Sequence, residues 1–453
     1  MAILTATLVK TWAADSKSSR EPIVLNPGPH LFLDEFLVEN SSNVLRRVNP
    51  PVRNPAIANP IVTGREDQNF QPYLSVIRND QTKKFRIWYG ARTEDSNPVR
   101  SRLAYMESSD GIHWQRPHRI LGFPAPIQFG VSVIDEGAAF PIPAQRFKYG
   151  CYMDGGLKIA TSPDGFDWTL LTTNVVVKHN HDINGIFRDT LRHRYVATLS
   201  FYLPGKEWKG WRRITKQSES ADLLRWSEPW AVLTPDTRDE GETQFYAMDG
   251  FLVRGDLTIG MVKVLRDDLK FDAEGIGYTT LAWTRDGKNW TRDREKFLDR
   301  SADKNEWDHS HAWIDEQVPV GTNVYLYYAG YKRGHKVNRF EERQIGLVTM
   351  LLDRYVAREA GEKSGILRTP PLILRGARLS VNADARHGEL KVQICEANGK
   401  PIKGFTAKDF KTVTTDQVDA PLRWKRSLQE LNGKPVRLEF LMRNARLFAF
   451  ELE

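Results

Sequence analysis

The sequence predicts an all-β fold, a five-bladed β-propeller followed by a small C-terminal β-sandwich, and three observations predict it. A short motif returns four times, as SSDGIHW (residues 108–114), SPDGFDW (162–168), SADLLRW (220–226) and TRDGKNW (284–290). Its tryptophans, Trp114, Trp168, Trp226 and Trp290, stand 54, 58 and 64 residues apart, a period that marks repeated supersecondary units. Each copy ends a set of three short runs of strand-forming residues, and beyond Arg354 this grammar changes.

The elements follow in order. The first unit has strands over 73–77, 85–89 and 103–106, with a turn at Asn79-Asp80. The second has 131–134, 147–152 and 157–161, and the third 181–187, 194–199 and 213–218, with a turn at Arg188-Asp189. The fourth has 245–253, 257–264 and 277–283. A fifth, over 312–314, 324–328 and 344–349, lacks the terminal motif. Asp-Gly after a strand makes a tight turn in which glycine supplies the positive φ. The tryptophan that follows offers a large apolar face to pack between neighbouring sheets. One such sheet cannot bury both faces, whereas five closed in a ring can. The segment from Pro29 to Asp34 is expected to add the strand that closes the ring. Residues 360–365 read as a linker, and strands over 377–382, 389–394, 436–441 and 447–452, with turns at Asn398-Gly399 and Asn432-Gly433, read as the sandwich. The expected division is 1–24 as an N-terminal segment, 25–358 as the propeller and 359–453 as the accessory sandwich.

Composition narrows the function. At 40% hydrophobic and 11% aromatic residues the chain is globular. It has no apolar run of about 18 residues, which excludes a spanning helix and gives no membrane partner. The net charge of +8 is scattered in short pairs such as Arg46-Arg47, Arg212-Arg213 and Lys332-Arg333, which argues against nucleic acid. Cys151 and Cys395 read as buried free thiols. No metal or cofactor motif is present, and none is expected. An apolar start ending at Trp12-Ala13-Ala14 suits either a signal remnant, hence a secreted or periplasmic protein, or an unstructured start.

The chemistry is expected at one mouth of the central channel, where equivalent positions of the innermost strands converge. Counting thirteen residues back from the start of each second strand gives Pro72, beside Gln71 and Asn69; Ile134, beside Asp135 and Glu136; Asp182, beside His181; Gln244, beside Glu242 and Tyr246; and His311, beside His309 and Asp308. With Asp67 and Arg213, these make a ring of carboxylates, histidines, amides and an aromatic. That mixture suits a carbohydrate, and glycosidic cleavage needs two carboxyl groups flanking the bond, one of them held protonated. Asp182 and Glu242 are the first acid/base pair, with Asp67 and Glu136 next. Asn69, Asp135, His181, Arg213, Gln244, Tyr246, Asp308, His309 and His311 are the substrate-binding candidates. Asp182 also suits a turn, and Glu242 a solvated loop after Asp236–Glu240. His309 and His311, two apart on one strand, suit hydrogen bonding better than a metal.

The repeated SxDGxxW motif, the Leu31-Phe32-Leu33-Asp34 opening and the Asn54-Pro55 and Asn59-Pro60 pairs resemble the five-bladed propeller glycoside hydrolases, the superfamily of families 32, 43, 68 and relatives. The resemblance covers roughly residues 25–358. For family 43 it implies an Asp base in the first blade, an Asp that tunes pKa in the second and a Glu acid in the third. Asp67 and Asp135 or Glu136 suit the first two roles; the third blade offers Asp182 and no Glu, and the family 32 signature around its nucleophilic Asp is missing. The chain is therefore similar to a divergent member. The expected activity is exo-acting hydrolysis of a glycosidic bond in an oligosaccharide or polysaccharide-derived substrate. The alternatives are a non-catalytic carbohydrate-binding propeller, a protein-interaction propeller, and a glycoside phosphorylase with Arg213 in a phosphate site.

Overall fold

The computed structural model describes residues 21–92, 101–122, 130–270, 274–339 and 341–453, without the side chains of Gln71 and Pro72. The N-terminal segment on which export was read lies almost wholly outside the described residues. Two compact bodies form. One is Pro50–Leu352; the other joins the residues up to Asn49 to those from Asp353 onward.

In the first body each repeat builds an antiparallel stack. The first is Asn69–Arg78, Phe85–Ala91, Arg102–Ser108 and Arg119–Ile120; the second Val133–Asp135, Phe147–Met153, Gly156–Ser162 and Thr169–Leu170; the third Asn184–Asp189, Arg194–Pro204, Trp211–Ser220 and Trp230–Leu233. Thr243–Arg254, Leu257–Arg266, Ile276–Thr284 and Thr291–Arg292 form the fourth, and His311–Val320, Asn323–Tyr331 and Gln344–Leu351 the fifth. A single parallel pair, Gly277 with His311, ties these last two together.

The first strands follow one another around a closed circuit. The Ser75 hydroxyl accepts from the Val133 N–H (2.9 Å), and that of Ser132 bonds the Ile186 N–H and carbonyl (2.7 and 2.8 Å). Thr243–Arg254 packs on Asn184–Asp189, the Gln317 amide donates to the Gly250 carbonyl, and His311–Val320 packs on Asn69–Arg78.

The repeated motif is the bracket between stacks. In each copy the Ser or Thr hydroxyl accepts the N–H three residues on (2.9–3.0 Å), and the Asp carboxylate accepts two further N–H groups. The turn residue has positive φ: Gly111, Gly165, Leu223 and Gly287. Leu223 bears the left-handed backbone at a cost of about 1–2 kcal/mol, offset by burying its side chain. The turns dock on the preceding stack. Trp88 of the first stack donates to the Gly165 carbonyl (2.9 Å), and Tyr327 of the fifth to the Gly111 carbonyl of the first (2.8 Å), which joins last to first.

The closing segment is not the one expected. Val52 and Val62 bridge Thr349 and Ile345 at the outer edge of the fifth stack. Gly28–Leu31 instead pairs with Ala445–Leu452 in the second body. An apolar run such as Leu31-Phe32-Leu33 specifies burial but not the sheet that provides it. The bodies accordingly divide at Asn49/Pro50 and Leu352/Asp353, not after residues 24 and 358.

The second body consists of two six-stranded sheets sharing one apolar core, with Leu367, Leu438 and Phe440 from one and Val381, Leu447 and Phe450 from the other. Residues expected as a linker form the turn between Val356–Ala360 and Gly365–Arg368, strands of different sheets. Cys151 and Cys395 are both free and buried, and burial pushes each thiol up to about 12.

Candidate active site

Strand pairing brings four of the five aligned positions to one end of the ring. Asn69 pairs with Ala91, Phe245 with Val264 and His311 with Tyr331, and Asp182 lies just ahead of the Asn184–Leu199 pair. The second repeat departs. Asp135 pairs with Phe147 at the start of its second strand, as Asp189 pairs with Arg194 in the third. Asp135 and Glu136 therefore sit at the opposite end. The cause is a long hairpin: residues 136–146 connect these strands where 190–193 suffice in the third repeat, so a fixed count back falls short of the strand's other end. The residues ahead of this strand, 123–129, lie outside the described residues. At that far end a cavity of about 420 Å³ touches all five first strands, with Asp135, Arg188, Asp249, Asp315 and Glu316 in its wall.

At the Asp182 end a connected group assembles. Arg213, near the start of the third strand of the third repeat, donates Nη1 to Gln244 Oε1 (2.7 Å) and Nε to His181 Nε2 (3.1 Å). Its guanidinium lies over the rings of Tyr246 (4.9 Å) and Tyr202 (5.3 Å). Tyr246 stacks on Trp313 at 4.8 Å and meets His181 and His335 edge-on. His181 Nε2 approaches Asp182 Oδ1 at 3.7 Å, and Asp267 lies 3.8 Å from both Arg213 and His335. Burial raises the Asp182 carboxyl above the ordinary carboxylate range, against the pull of Arg213, Arg339 and Arg343. Burial, then Arg213, holds His181 down to about 3, and burial puts His311 at about 3 as well, so both imidazoles are neutral at physiological pH.

Several expected members do other work. Asp67, fully buried, binds Arg116 through both carboxylate oxygens (2.8 and 2.9 Å) and accepts the Thr63 N–H. Asp135 is bidentate with Arg146 (2.7 Å each), and Glu136 accepts from the Tyr195 hydroxyl. Asp308 holds Arg53 and the Tyr328 hydroxyl, and His309 bonds the Ser301 carbonyl (3.0 Å). The strand begins at His311, so His309 does not share its face. Glu242 is exposed and faces Arg212 at 3.6 Å, not Arg213. Asn69 is buried, donating to the Arg343 carbonyl.

Sequence reasoning missed the connection between the second and third strands of the fifth repeat. It carries Lys332, Arg333, His335, Lys336, Arg339 and Arg343, a basic density no other such connection has, and that was the available signal. It also missed Asp267 and the exposed aromatics Tyr202 and Trp211, 38% and 51% accessible, whose rings stand 5.5 Å apart where the third repeat's second hairpin projects beyond the stack.

No family model matches the chain, and no curated protein matches it. Solved structures similar to it include a glycosyl hydrolase from Bacteroides ovatus, 15% identical over 68% of this chain and 95% of that one, with a TM-score of 0.48. An N-acetylgalactosamine deacetylase from F. plautii, in complex with blood group B trisaccharide, is 14% identical over 69% of this chain and 97% of its own, at 0.45. A family 32 β-fructofuranosidase from Bombyx mori is 12% identical over 88% and 95%, at 0.43.

Proposed function

We propose that this chain is a carbohydrate-active enzyme that cleaves a terminal glycosidic bond, with its first body a five-bladed propeller and its second an accessory sandwich. The observation that carries the reading is Asp182: a partly buried carboxyl with raised pKa, just ahead of the third repeat's first strand, next to His181, whose ring lies 6.5 Å from that of the exposed Tyr202. A carboxyl whose burial favours its protonated form is suited to act as a general acid, and aromatic faces receive the apolar faces of sugars. Asp267, which shares Arg213 with the Asp182–His181 pair, replaces Glu242 as the second carboxylate. In the step, the bond from the anomeric carbon to the leaving oxygen breaks and that oxygen takes the Asp182 proton. A water attacks the same carbon while Asp267 accepts its proton.

The test is turnover of a panel of aryl glycosides and oligosaccharides by the wild type, Asp182→Asn and Asp267→Asn. Each substitution is expected to lower kcat at least 100-fold with the fold intact. Unchanged rates in both variants overturn the assignment.

A further inference from the structure

The mouth carries more positive charge than its own carboxylates neutralise. Arg213, Lys336, Arg339 and Arg343 gather there, against Asp182 and Asp267. Arg213, Arg339 and Arg343 all act electrostatically on the Asp182 carboxyl, yet among the described residues none comes within 4 Å of it. Their donors go elsewhere. Arg213 serves Gln244 and His181, which are uncharged, with Asp267 at 3.8 Å. Arg343, 3% exposed, donates to the Phe70 and His335 carbonyls (2.8 and 2.7 Å), and its buried Nε has no partner. Arg339 makes no hydrogen bond or ion pair among the described residues, although it is half-withdrawn from solvent and crowded by Arg343. His335, 4% exposed, makes no hydrogen bond through either ring nitrogen in the same place, with Asp267 3.8 Å from its Nδ1. A half-buried guanidinium without an acceptor is costly, and guanidinium forks match carboxylate and phosphate oxygens.

We propose that Arg213, Arg339 and Arg343 form an oxyanion pocket facing Asp182 across a gap, and that the substrate or co-substrate places a carboxylate or phosphate group in it. The pocket rests on the reading of Asp182 as proton donor for its place in catalysis, though not for binding. Two sources offer this chemistry. A uronic acid unit brings a carboxylate on the sugar itself. Free phosphate attacks the anomeric carbon in place of water, as the leaving oxygen takes the Asp182 proton, and yields a sugar 1-phosphate.

The experiment is calorimetric titration of the full chain at low salt with inorganic phosphate, glucuronate and, as the neutral control, glucose. Wild type, Arg339→Gln and Arg339→Lys are compared, their fold checked by thermal melting. At least one anion is expected to bind more tightly than glucose, to weaken tenfold or more in Arg339→Gln, and to recover in part in Arg339→Lys. Phosphate binding alone identifies phosphorolysis, and glucuronate binding alone an acidic sugar. No preference for either anion over glucose, or equal affinity in wild type and Arg339→Gln, overturns the pocket. Turnover separates the two readings. Anion binding together with an unimpaired Asp182→Asn removes the proton donor and keeps the pocket; Asp182-dependent turnover without anion binding does the reverse.

Discussion

Arg213 donates its Nε–H to Nε2 of His181 at 3.1 Å, which requires that nitrogen to present a lone pair. The imidazole is thereby fixed as neutral, in line with its descent to about 3. His181 consequently does not titrate in the working range, and a limb in the pH–rate profile belongs to a carboxyl.

The first prediction concerns that limb. Asp182 works only when protonated, so kcat is expected to fall as pH rises through its raised pKa, above the ordinary carboxylate range. The Asp182→Asn variant is expected to lose the limb together with the activity. The same shift has a sign for stability. Native Asp182 holds its proton more tightly than the unfolded chain does, so its contribution fades as pH climbs from the unfolded to the folded pKa. Asp182→Asn is therefore expected to melt higher than wild type at pH 8, while being far less active.

Glu316, in the wall of the far cavity, is pushed up to about 8 by burial and then by Asp315 and Asp249. Its stabilising contribution is complete below its unfolded pKa and disappears as pH rises toward 8 and beyond. Thermal melts from pH 5 to 9 are expected to decline in wild type. Glu316→Gln is expected to flatten that decline and to be more stable at pH 9 by about 1 kcal/mol or more.

Asp67 is a structural carboxylate by its contacts, since both oxygens are taken by Arg116 and the Thr63 N–H. Arg116→Met leaves it buried and unpaired and is expected to cost about 3 kcal/mol in denaturant melts. The kcat of the surviving folded enzyme is expected to stay within a few-fold of wild type, unlike that of Asp182→Asn.

The aromatic pair at the mouth is exposed and carries little stability. Trp211→Ala is expected to raise KM about tenfold, since loss of a stacking face costs on the order of 1 kcal/mol. The melting temperature is expected to stay within a degree or two.

At the bracket between first and last stacks, a Cβ on Gly111 would stand 2.5 Å from the Tyr327 hydroxyl, at φ +76°. Gly111→Ala is expected to lower the unfolding free energy by about 3 kcal/mol in denaturant melts. Ala at the open Gly321, a turn glycine with no neighbour within 4 Å, carries only the strain of its positive φ and is the milder control.

The fold was more legible than the site, for a physical reason. The SxDGxxW turns bond their own backbone, so their signal is local and survives in the sequence. The four sets of three strands that they delimit are present, and so is the fifth, which lacks the turn. What the motif did not carry was the partner of each edge: Leu31-Phe32-Leu33 is apolar wherever it packs, and Val52 and Val62 are isolated valines. At the site, counting from second strands worked where hairpins are short, as at Asp182, and failed at Asp135 and Glu136, where eleven residues intervene. The acidic residues it favoured were partly claimed by arginines distant in sequence, such as Arg116 for Asp67. The basic run from Lys332 to Arg343 was in plain view, but its charge acquires meaning only once the ring turns it toward Asp182.

Closure of the ring by Val52 and Val62 sets an order of events at the ribosome. Their partners, Thr349 and Ile345, emerge only after about 300 further residues have been made. Four stacks can form as they appear, each from local hairpins. The leading segment must wait, and until it docks, Gln344–Leu351 keeps a free edge able to template pairing with another chain. Synthesis that pauses before the fifth repeat, or a cut near Thr349, is therefore the circumstance in which this protein would swap segments between copies.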